Sequence, residues 1–209
     1  METLKLDQMR SWILTTAAVI EKNATLLSDL DAAIGDGDHG ANMTRGFSAV
    51  VKKLESAPSA DIGALFKTVG MTLLSTVGGA AGPLYGGFFL ELGKQSLGKQ
   101  ELDATSLHAM LESGLADIKR RGKAELGDKT MVDAMTPALE AMKAAGNDIS
   151  VTTRAAAVTA RDAAVKTTPL LARKGRASYL GERSIGHQDP GATSTALLFE
   201  SLAEVSAGA

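Results

Sequence analysis

The chain has 209 residues, of which 44% are hydrophobic and 22% charged, and its formal net charge is −2. This composition excludes a disordered chain, and the near-neutral charge excludes broad binding of nucleic acid through a basic surface. The absence of cysteine excludes disulfides, thiolate zinc sites, iron–sulfur clusters and thiol catalysis, and it suits a reducing compartment.

The N-terminal segment METLKLDQMR carries charges within its first seven residues and has no apolar core, so we expect no secretory signal. No uninterrupted apolar run approaches the ~18 residues that a membrane span needs. We therefore expect a cytoplasmic protein without a membrane or nucleic-acid partner.

Apolar residues recur at helical spacing along most of the chain. Aromatic residues make up only 4% of the sequence and alanine is abundant, a balance that favours helices over strands. In chain order, the stripes start at Met9, Met43, Ile62, Leu107 and Met131, and alanine-rich segments follow at 150–172 and 192–205. The pattern predicts an all-α bundle of about eight helices, in a single domain over residues 1–209, with no convincing strand.

Glycine and charge concentrate in four connections between the predicted helices. The first, at 31–42, contains Asp31, Asp36 and Asp38 interleaved with glycines. Carboxylates this close repel one another unless a cation lies among them, and hard divalent ions such as Mg²⁺ or Ca²⁺ prefer oxygen ligands. The spacing does not fit a calcium EF-hand loop. The alternative is a solvated acidic turn in which Asp36 or Asp38 caps the next helix.

Free backbone N–H groups are expected where that next helix begins. Residues 39–42 would present them to a phosphate, since helix N-termini attract anions. The alternative for His39 is a turn histidine bonded to its own backbone. In the second connection, at 77–87, the small Ala80 and Ala81 permit backbone amides to approach a ligand closely. The alternative, which this segment alone favours, is tight packing of two helices at a corner.

The third and fourth connections carry positive charge. Residues 121–130 hold Gly122, Lys123 and Lys129, with Asp128 as a possible cap of the following helix. Residues 173–191 are rich in arginine and lysine, and arginine forks suit phosphate oxygens. A basic loop opposite an acidic loop is the charge pattern that a metal–polyphosphate site needs, although two solvated loops would show the same pattern.

Four segments of the chain resemble the nucleotide-binding L subunit of dihydroxyacetone kinases, the DhaL family. They lie at 34–40 (IGDGDHG), 78–83 (GGAAGP), 121–131 and 172–194, in the family's order and nearly end to end. The resemblance implies an antiparallel eight-helix barrel with the nucleotide at one end.

The resemblance also implies which residues form the site. Asp31, Asp36 and Asp38 would bind two Mg²⁺ ions that bridge the phosphates of ADP or ATP. The implied nucleotide contacts are His39, Gly40, Ala41, Asn42, Ala80, Ala81, Gly122, Met131, Arg176, Asp189, Pro190 and Gly191. The family commonly has a serine where this chain has Ala81, so phosphate binding at that turn must rest on backbone amides.

The implied activity is phosphoryl transfer by positioning and charge neutralisation. In the phosphotransferase-dependent branch, a phosphohistidine on an M subunit rephosphorylates bound ADP, and dihydroxyacetone is held by a separate K subunit. Three alternatives stay open: an ATP-exchanging subunit for another short keto-sugar such as erythrulose, a non-catalytic nucleotide-binding regulatory module, and a two-metal phosphatase. The oligomeric state, a homo-oligomer included, stays open as well.

Overall fold

The structure is a computed structural model that describes residues 2–207. Within these residues the chain forms nine α-helices and a short 3-10 segment at Arg176–Ser184, which kinks at Gly181. The helices are α1 (Leu6–Lys22), α2 (Ala24–Ile34), α3 (His39–Ser56), α4 (Ile62–Thr76), α5 (Ala81–Gln95), α6 (Ala104–Gly122), α7 (Met131–Ala144), α8 (Ile149–Lys166) and α9 (Pro190–Ser206).

Eight of these helices close into a ring in the order α1, α3, α4, α5, α6, α7, α8, α9, and α9 packs back on α1. Helices from α3 to α9 that follow one another in the chain are neighbours in the ring, so they alternate in direction. The remaining helix, α2, lies against α3, α9 and the 3-10 segment. The predicted all-α fold and the eight-helix barrel are confirmed.

The ninth helix arises because the chain breaks at Asn23, which ends α1 and precedes α2. No strand was predicted from the sequence, whereas β1 (Leu4–Lys5) and β2 (Glu101–Leu102) pair antiparallel with Leu4 opposite Leu102. Strands of two residues are too short to leave an alternating pattern in the sequence. This pair joins the starts of α1 and α6.

Aromatic side chains fill one part of the barrel interior. Trp12 packs edge-on against Phe66 at a centroid distance of 5.7 Å, and Phe89 contacts both rings. The Trp12 indole N–H donates to the carbonyl of Leu198 at 2.9 Å, so its polar atom is satisfied inside the core. This cluster ties α1 to α4, α5 and α9.

Glycines bring α4 and α5 into close contact. A Cβ on Gly70 would lie 2.7 Å from the backbone nitrogen of Leu90, and one on Gly86 would lie 2.9 Å from Leu74. These positions therefore admit no larger residue without separating the two helices.

Alternation of the helices around the ring places the N-termini of α3, α5, α7 and α9 at one end of the barrel. At this end of the barrel, therefore, lie the four helix starts that follow the glycine-rich connections.

None of the helices within residues 2–207 is long and apolar enough to cross a membrane.

Candidate nucleotide and metal site

A cavity of about 260 Å³ opens where α3, α5, α7 and α9 begin. It brings together residues from all four glycine-rich connections. The predicted site residues that line it are Asp31, Asp36, Asp38, His39, Asn42, Ala80, Ala81, Gly122, Met131, Arg176, Asp189, Pro190 and Gly191.

Two predicted contacts lie beside this cavity rather than on its wall. Gly40 and Ala41 occupy the first turn of α3; Gly40 is buried and Ala41 is exposed. Gly40 faces α2 so closely that a Cβ there would lie 1.9 Å from the carbonyl oxygen of Ala24. Any contact they make with a phosphate must come from their backbone N–H groups at the helix start.

The three aspartates form a compact set of oxygen donors. Each offers a carboxylate oxygen, and these atoms lie within 4.8 Å of one another. Asp31 lies in the last turn of α2 and not in the loop, because α2 continues to Ile34. Asp36 lies in the short loop and Asp38 directly precedes α3. Such a set of hard oxygen donors fits Mg²⁺.

Asp31 also connects α2 to α3. Its Oδ2 atom accepts hydrogen bonds from the backbone N–H of Asp38 at 2.9 Å and of His39 at 3.2 Å. Within the described structure, the Asp38 side chain makes no cap bond to α3. Among the described residues, the carboxylate bonded at the start of α3 is therefore that of Asp31 and not the expected cap from Asp36 or Asp38.

An arginine faces this acidic cluster from the fourth connection. The Nη1 atom of Arg176 lies 2.7 Å from Oδ2 of Asp36. The two side chains are 63% and 35% exposed, so solvent screens the pair and its contribution to stability is small. The pair nevertheless places a guanidinium beside the carboxylates, where phosphate oxygens of a metal-bound nucleotide would need a positive partner.

The four helix starts at the cavity differ in how they are capped. Thr130 caps α7 in a capping box with Asp133, and Asp189 caps α9 through the N–H of Ala192. Among the described residues no side chain caps α3 through its N-cap residue Asp38, and none caps α5 through Ala80. In α3 the N–H of His39 is already bound by Asp31. The remaining free N–H groups of its first turn, and those of the first turn of α5, can bind an anion together with the positive end of each helix dipole.

A chain of buried polar groups lies under the site. His39 Nε2 lies 2.9 Å from Ser194 Oγ, which lies 2.8 Å from the Tyr85 hydroxyl, and Thr195 completes the chain. Burial lowers the pKa of His39, although the negative charges of Asp31 and Asp38 act to raise it. The alternative in which His39 bonds its own backbone is wrong. Sequence reasoning missed Tyr85 and Ser194, because their bond joins two helices that are far apart in the chain.

The apolar wall of the cavity was also missed. It comes from α5, α6, the connection after α6 and the start of α7, and it consists of Leu84, Ile118, Ala124, Met131 and Val132. Only Met131 was predicted, through the family resemblance. Flat apolar walls suit an aromatic base, and a cavity with few convergent polar groups is typical of cofactor sites.

Asp189 is buried at the start of α9. Burial raises its pKa to about 7, although the N–H of Ala192 donates to its Oδ2 at 2.6 Å and opposes that shift. The hydroxyl of Thr167 accepts from the backbone N–H of Asp189 at 2.9 Å. These bonds fix the residue that precedes Pro190 and Gly191 on the cavity wall.

Two expectations about the third connection are corrected. Asp128 accepts from the N–H of Glu125 and does not cap α7, because Thr130 holds the N-cap position. Lys129 was expected to supply charge on a flexible loop, but only 1% of the residue is exposed.

The open end of the barrel carries clustered carboxylates and an arginine on one side and an apolar wall on the other. Such a site is typical of proteins that bind a metal-chelated nucleotide. The DAK2 domain model matches residues 33–204. The chain belongs to the DAK2 domain family.

Relatives of similar length are known. The chain is 45% identical over 204 residues to the ADP-binding subunit DhaL of the PEP-dependent dihydroxyacetone kinase of Escherichia coli, covering 96% of this chain and 97% of that protein. It is 47% identical over 203 residues to the ADP-binding subunit DhaL of the PTS-dependent dihydroxyacetone kinase of Lactococcus lactis, covering 97% and 98%.

A solved structure shares the architecture. The dihydroxyacetone kinase of C. freundii, in complex with AMP-PNP and Mg²⁺, superposes with a TM-score of 0.73 at 29% identity. The match covers 92% of this chain and 33% of that kinase, so this chain spans one third of the kinase's length.

Proposed function

We propose that this chain is the nucleotide-binding, phosphoryl-transfer subunit of a dihydroxyacetone kinase. In this role it holds ADP or ATP with two Mg²⁺ ions at the open end of the barrel. Phosphate passes from a phosphohistidine of the phosphotransferase system, through the bound nucleotide, to dihydroxyacetone on a separate subunit. Full-length similarity to subunits named as ADP-binding supports this assignment.

The observation that carries the proposal is the position of the aspartate cluster relative to the helix starts. Asp31, Asp36 and Asp38 share one cavity with the first turns of α3 and α5, whose N-cap residues Asp38 and Ala80 make no side-chain cap bond. A nucleotide diphosphate needs cations on some of its oxygens and N–H donors on others. This arrangement offers both on neighbouring walls.

Each wall of the cavity has its own task. The carboxylates hold the metal ions, which supply charge neutralisation for the phosphates when they are bound. At the starts of α3 and α5, the backbone N–H groups of Gly40, Ala41, Ala80 and Ala81 hold phosphate oxygens. His39 and Asn42 line the same part of the cavity with their side chains. Gly122, Met131 and the segment 189–191 line the nucleoside side, and Arg176 closes over the phosphates.

In this reaction the chain forms no covalent bond with the phosphate. The protein orients the terminal phosphate, excludes water along the apolar wall and neutralises charge. The donor and the sugar must reach the nucleotide from outside the barrel. The proposed partners are therefore a K subunit that carries dihydroxyacetone and an M subunit that carries the phosphohistidine.

Calorimetry of Mg²⁺–ADP binding tests the nucleotide site. Asp36→Asn keeps the size of the side chain and removes one charge, so we expect it to weaken binding at least about tenfold. Asp29→Asn on the neighbouring helix turn is the matched control, because Asp29 is exposed and does not line the cavity. Wild-type protein that binds no nucleotide in the presence of Mg²⁺ would contradict the proposal.

Reconstitution tests the reaction. The chain is mixed with a K subunit, dihydroxyacetone and either a phosphorylated M subunit or free ATP, and the sugar phosphate is measured. We expect product with the phosphorylated M subunit and catalytic amounts of ADP. Product formed only with stoichiometric ATP would assign the chain to the ATP-exchanging branch, and nucleotide binding without product would leave a regulatory module.

A further inference from the structure

The ammonium group of Lys129 is buried beside the cavity and is bound entirely by backbone carbonyls. Its Nζ atom donates to the carbonyl oxygens of Ser184 at 2.7 Å, Leu170 at 3.0 Å and Thr168 at 3.3 Å. Burial lowers the pKa of Lys129, and the nearby Asp189 carboxylate opposes this shift. Charging a buried amine is costly, so this set of acceptors indicates that the residue has a specific task.

Lys129 cannot be a direct phosphate ligand in this arrangement. A lysine ammonium has three N–H donors, and three carbonyl oxygens accept them here. No donor is left over for a nucleotide, although the residue borders the cavity. Its contribution must act through the backbone that it holds.

The three carbonyls lie on both sides of one loop. Thr168 and Leu170 come before residues 171–183, and Ser184 comes directly after them. Two further bonds join the ends of this loop: Gly186 N–H to the Thr168 carbonyl at 2.9 Å, and Ala172 N–H to Ser184 Oγ at 3.0 Å. Lys129 therefore sits at the base of the loop and holds its two ends together.

That loop carries the arginine that faces the metal cluster. Residues 174–177 line the cavity, and Arg176 pairs with Asp36. The Arg176 side chain is 63% exposed, so its own surroundings restrain it little. The backbone around Arg176 is held by the base of the loop and by Ala177, which packs against Ile34 of α2.

We propose that Lys129 is a positioning residue that fastens the base of the 171–183 loop to the start of α7 and so keeps Arg176 over the nucleotide. This inference rests on the proposed nucleotide-binding function. It predicts that a buried cation with no contact to the nucleotide slows the release of that nucleotide.

Release of labelled ADP from the Mg²⁺-loaded protein, chased with unlabelled ADP, is the primary test. Lys129→Met preserves much of the side-chain volume but removes the charge and all three donors, and we expect ADP release to be about tenfold faster or more. Lys123→Met is the matched control, because Lys123 is exposed and lies on the same connection. Both lysines have a left-handed backbone, with φ of 49° at Lys123 and 61° at Lys129. We expect Lys123→Met to release ADP at the wild-type rate.

A double-mutant cycle separates positioning from general damage to the fold. If Lys129 acts through Arg176, then adding Lys129→Met to Arg176→Ala should change the release rate by less than about twofold. Trypsin provides a second measurement, since the loop offers cleavage sites at Arg173, Lys174, Arg176 and Arg183. We expect faster cleavage there in Lys129→Met with ADP bound.

The outcomes distinguish this inference from the proposed function. Wild-type protein that binds no ADP contradicts the proposed function. Wild-type protein that binds ADP, together with a Lys129→Met variant that releases it at the wild-type rate or shows full additivity with Arg176→Ala, overturns only the role of Lys129. Should Lys129→Met not fold, Lys129→Gln, which is neutral but keeps two N–H donors, enters the same comparisons with the same expected directions.

Discussion

His39 and Ser194 are separated by 155 positions in the chain, yet Nε2 of the first lies 2.9 Å from Oγ of the second. His39 begins α3 and Ser194 lies near the start of α9. The Tyr85 hydroxyl, on α5, lies 2.8 Å from the same Oγ. Three helices that start at the candidate site are thus joined by one buried chain of polar groups directly beneath it.

The first prediction concerns the buried polar groups that join His39, Ser194 and Tyr85. Tyr85→Phe removes a buried hydroxyl that bonds both Ser194 and Thr195, and we expect it to lower the free energy of unfolding by about 1–2 kcal/mol. Urea unfolding by linear extrapolation measures the loss. Tyr179→Phe is the control, since Tyr179 is 87% exposed and its hydroxyl should matter little. A Tyr85→Phe variant as stable as the wild type would contradict the energetic role of the chain.

The second prediction concerns the ion pair between Arg176 and Asp36. Without nucleotide, the guanidinium partly neutralises the acidic cluster, so Arg176→Ala should bind Mn²⁺ more tightly than the wild type. A solvent-exposed pair contributes up to about 1 kcal/mol, which corresponds to a gain of up to about fivefold. The same variant should bind Mg²⁺–ADP more weakly, because the phosphates lose their arginine.

The test is specific because Arg176→Ala should raise the affinity for the metal alone and lower the affinity for the metal with nucleotide. Titration of Mn²⁺ by electron paramagnetic resonance gives the first affinity and calorimetry gives the second. Arg183→Ala, an exposed arginine on the same loop that does not line the cavity, should change neither. Weaker Mn²⁺ binding by Arg176→Ala in the absence of nucleotide would show that the arginine does not offset the charge of the cluster.

The third prediction concerns pH. Burial raises the pKa of Asp189 from 3.8 to about 7, so between these values the folded protein holds a proton that the unfolded chain has released. The free energy of unfolding contributed by this group therefore falls as pH rises through that window. Asp189→Asn removes the titration and keeps an oxygen that can accept from Ala192. We expect Asp189→Asn to gain stability relative to the metal-free wild type as pH rises.

Urea unfolding of both metal-free proteins at several pH values between 4 and 8 measures this difference. The stability of the variant minus that of the wild type should increase steadily with pH and level off above the folded pKa of about 7. A difference that does not depend on pH would show that Asp189 is ionised in the folded protein throughout this range.

The helical class and the acidic cluster could be predicted from the sequence because both are local. Helical periodicity repeats within a few residues, and Asp31, Asp36 and Asp38 lie within eight positions of one another, so their carboxylates must be close in almost any compact fold. The turn at Ala80 and Ala81 could be singled out for the same reason, from its lack of side-chain bulk. The helix start at residues 39–42 was a local signal as well, whereas prediction of Gly122, Met131 and residues 189–191 depended on the resemblance to a known family.

Other features depended on which helices meet. The break at Asn23 moved Asp31 onto α2, where its Oδ2 bonds the start of α3. Neither the polar chain from His39 to Tyr85 nor the apolar wall has a local signature, because each joins residues from different helices.

The amino-acid sequence by itself determined the helices, the carboxylate cluster and the glycine-rich turns, since short-range spacing governs all three. Only the tertiary structure decided that the starts of α3, α5, α7 and α9 share one end of a closed ring. It also placed the Lys129 ammonium among the carbonyl oxygens of Thr168, Leu170 and Ser184. The physical reason is that closing the ring buries polar groups, and each buried group must find a partner from a distant part of the chain.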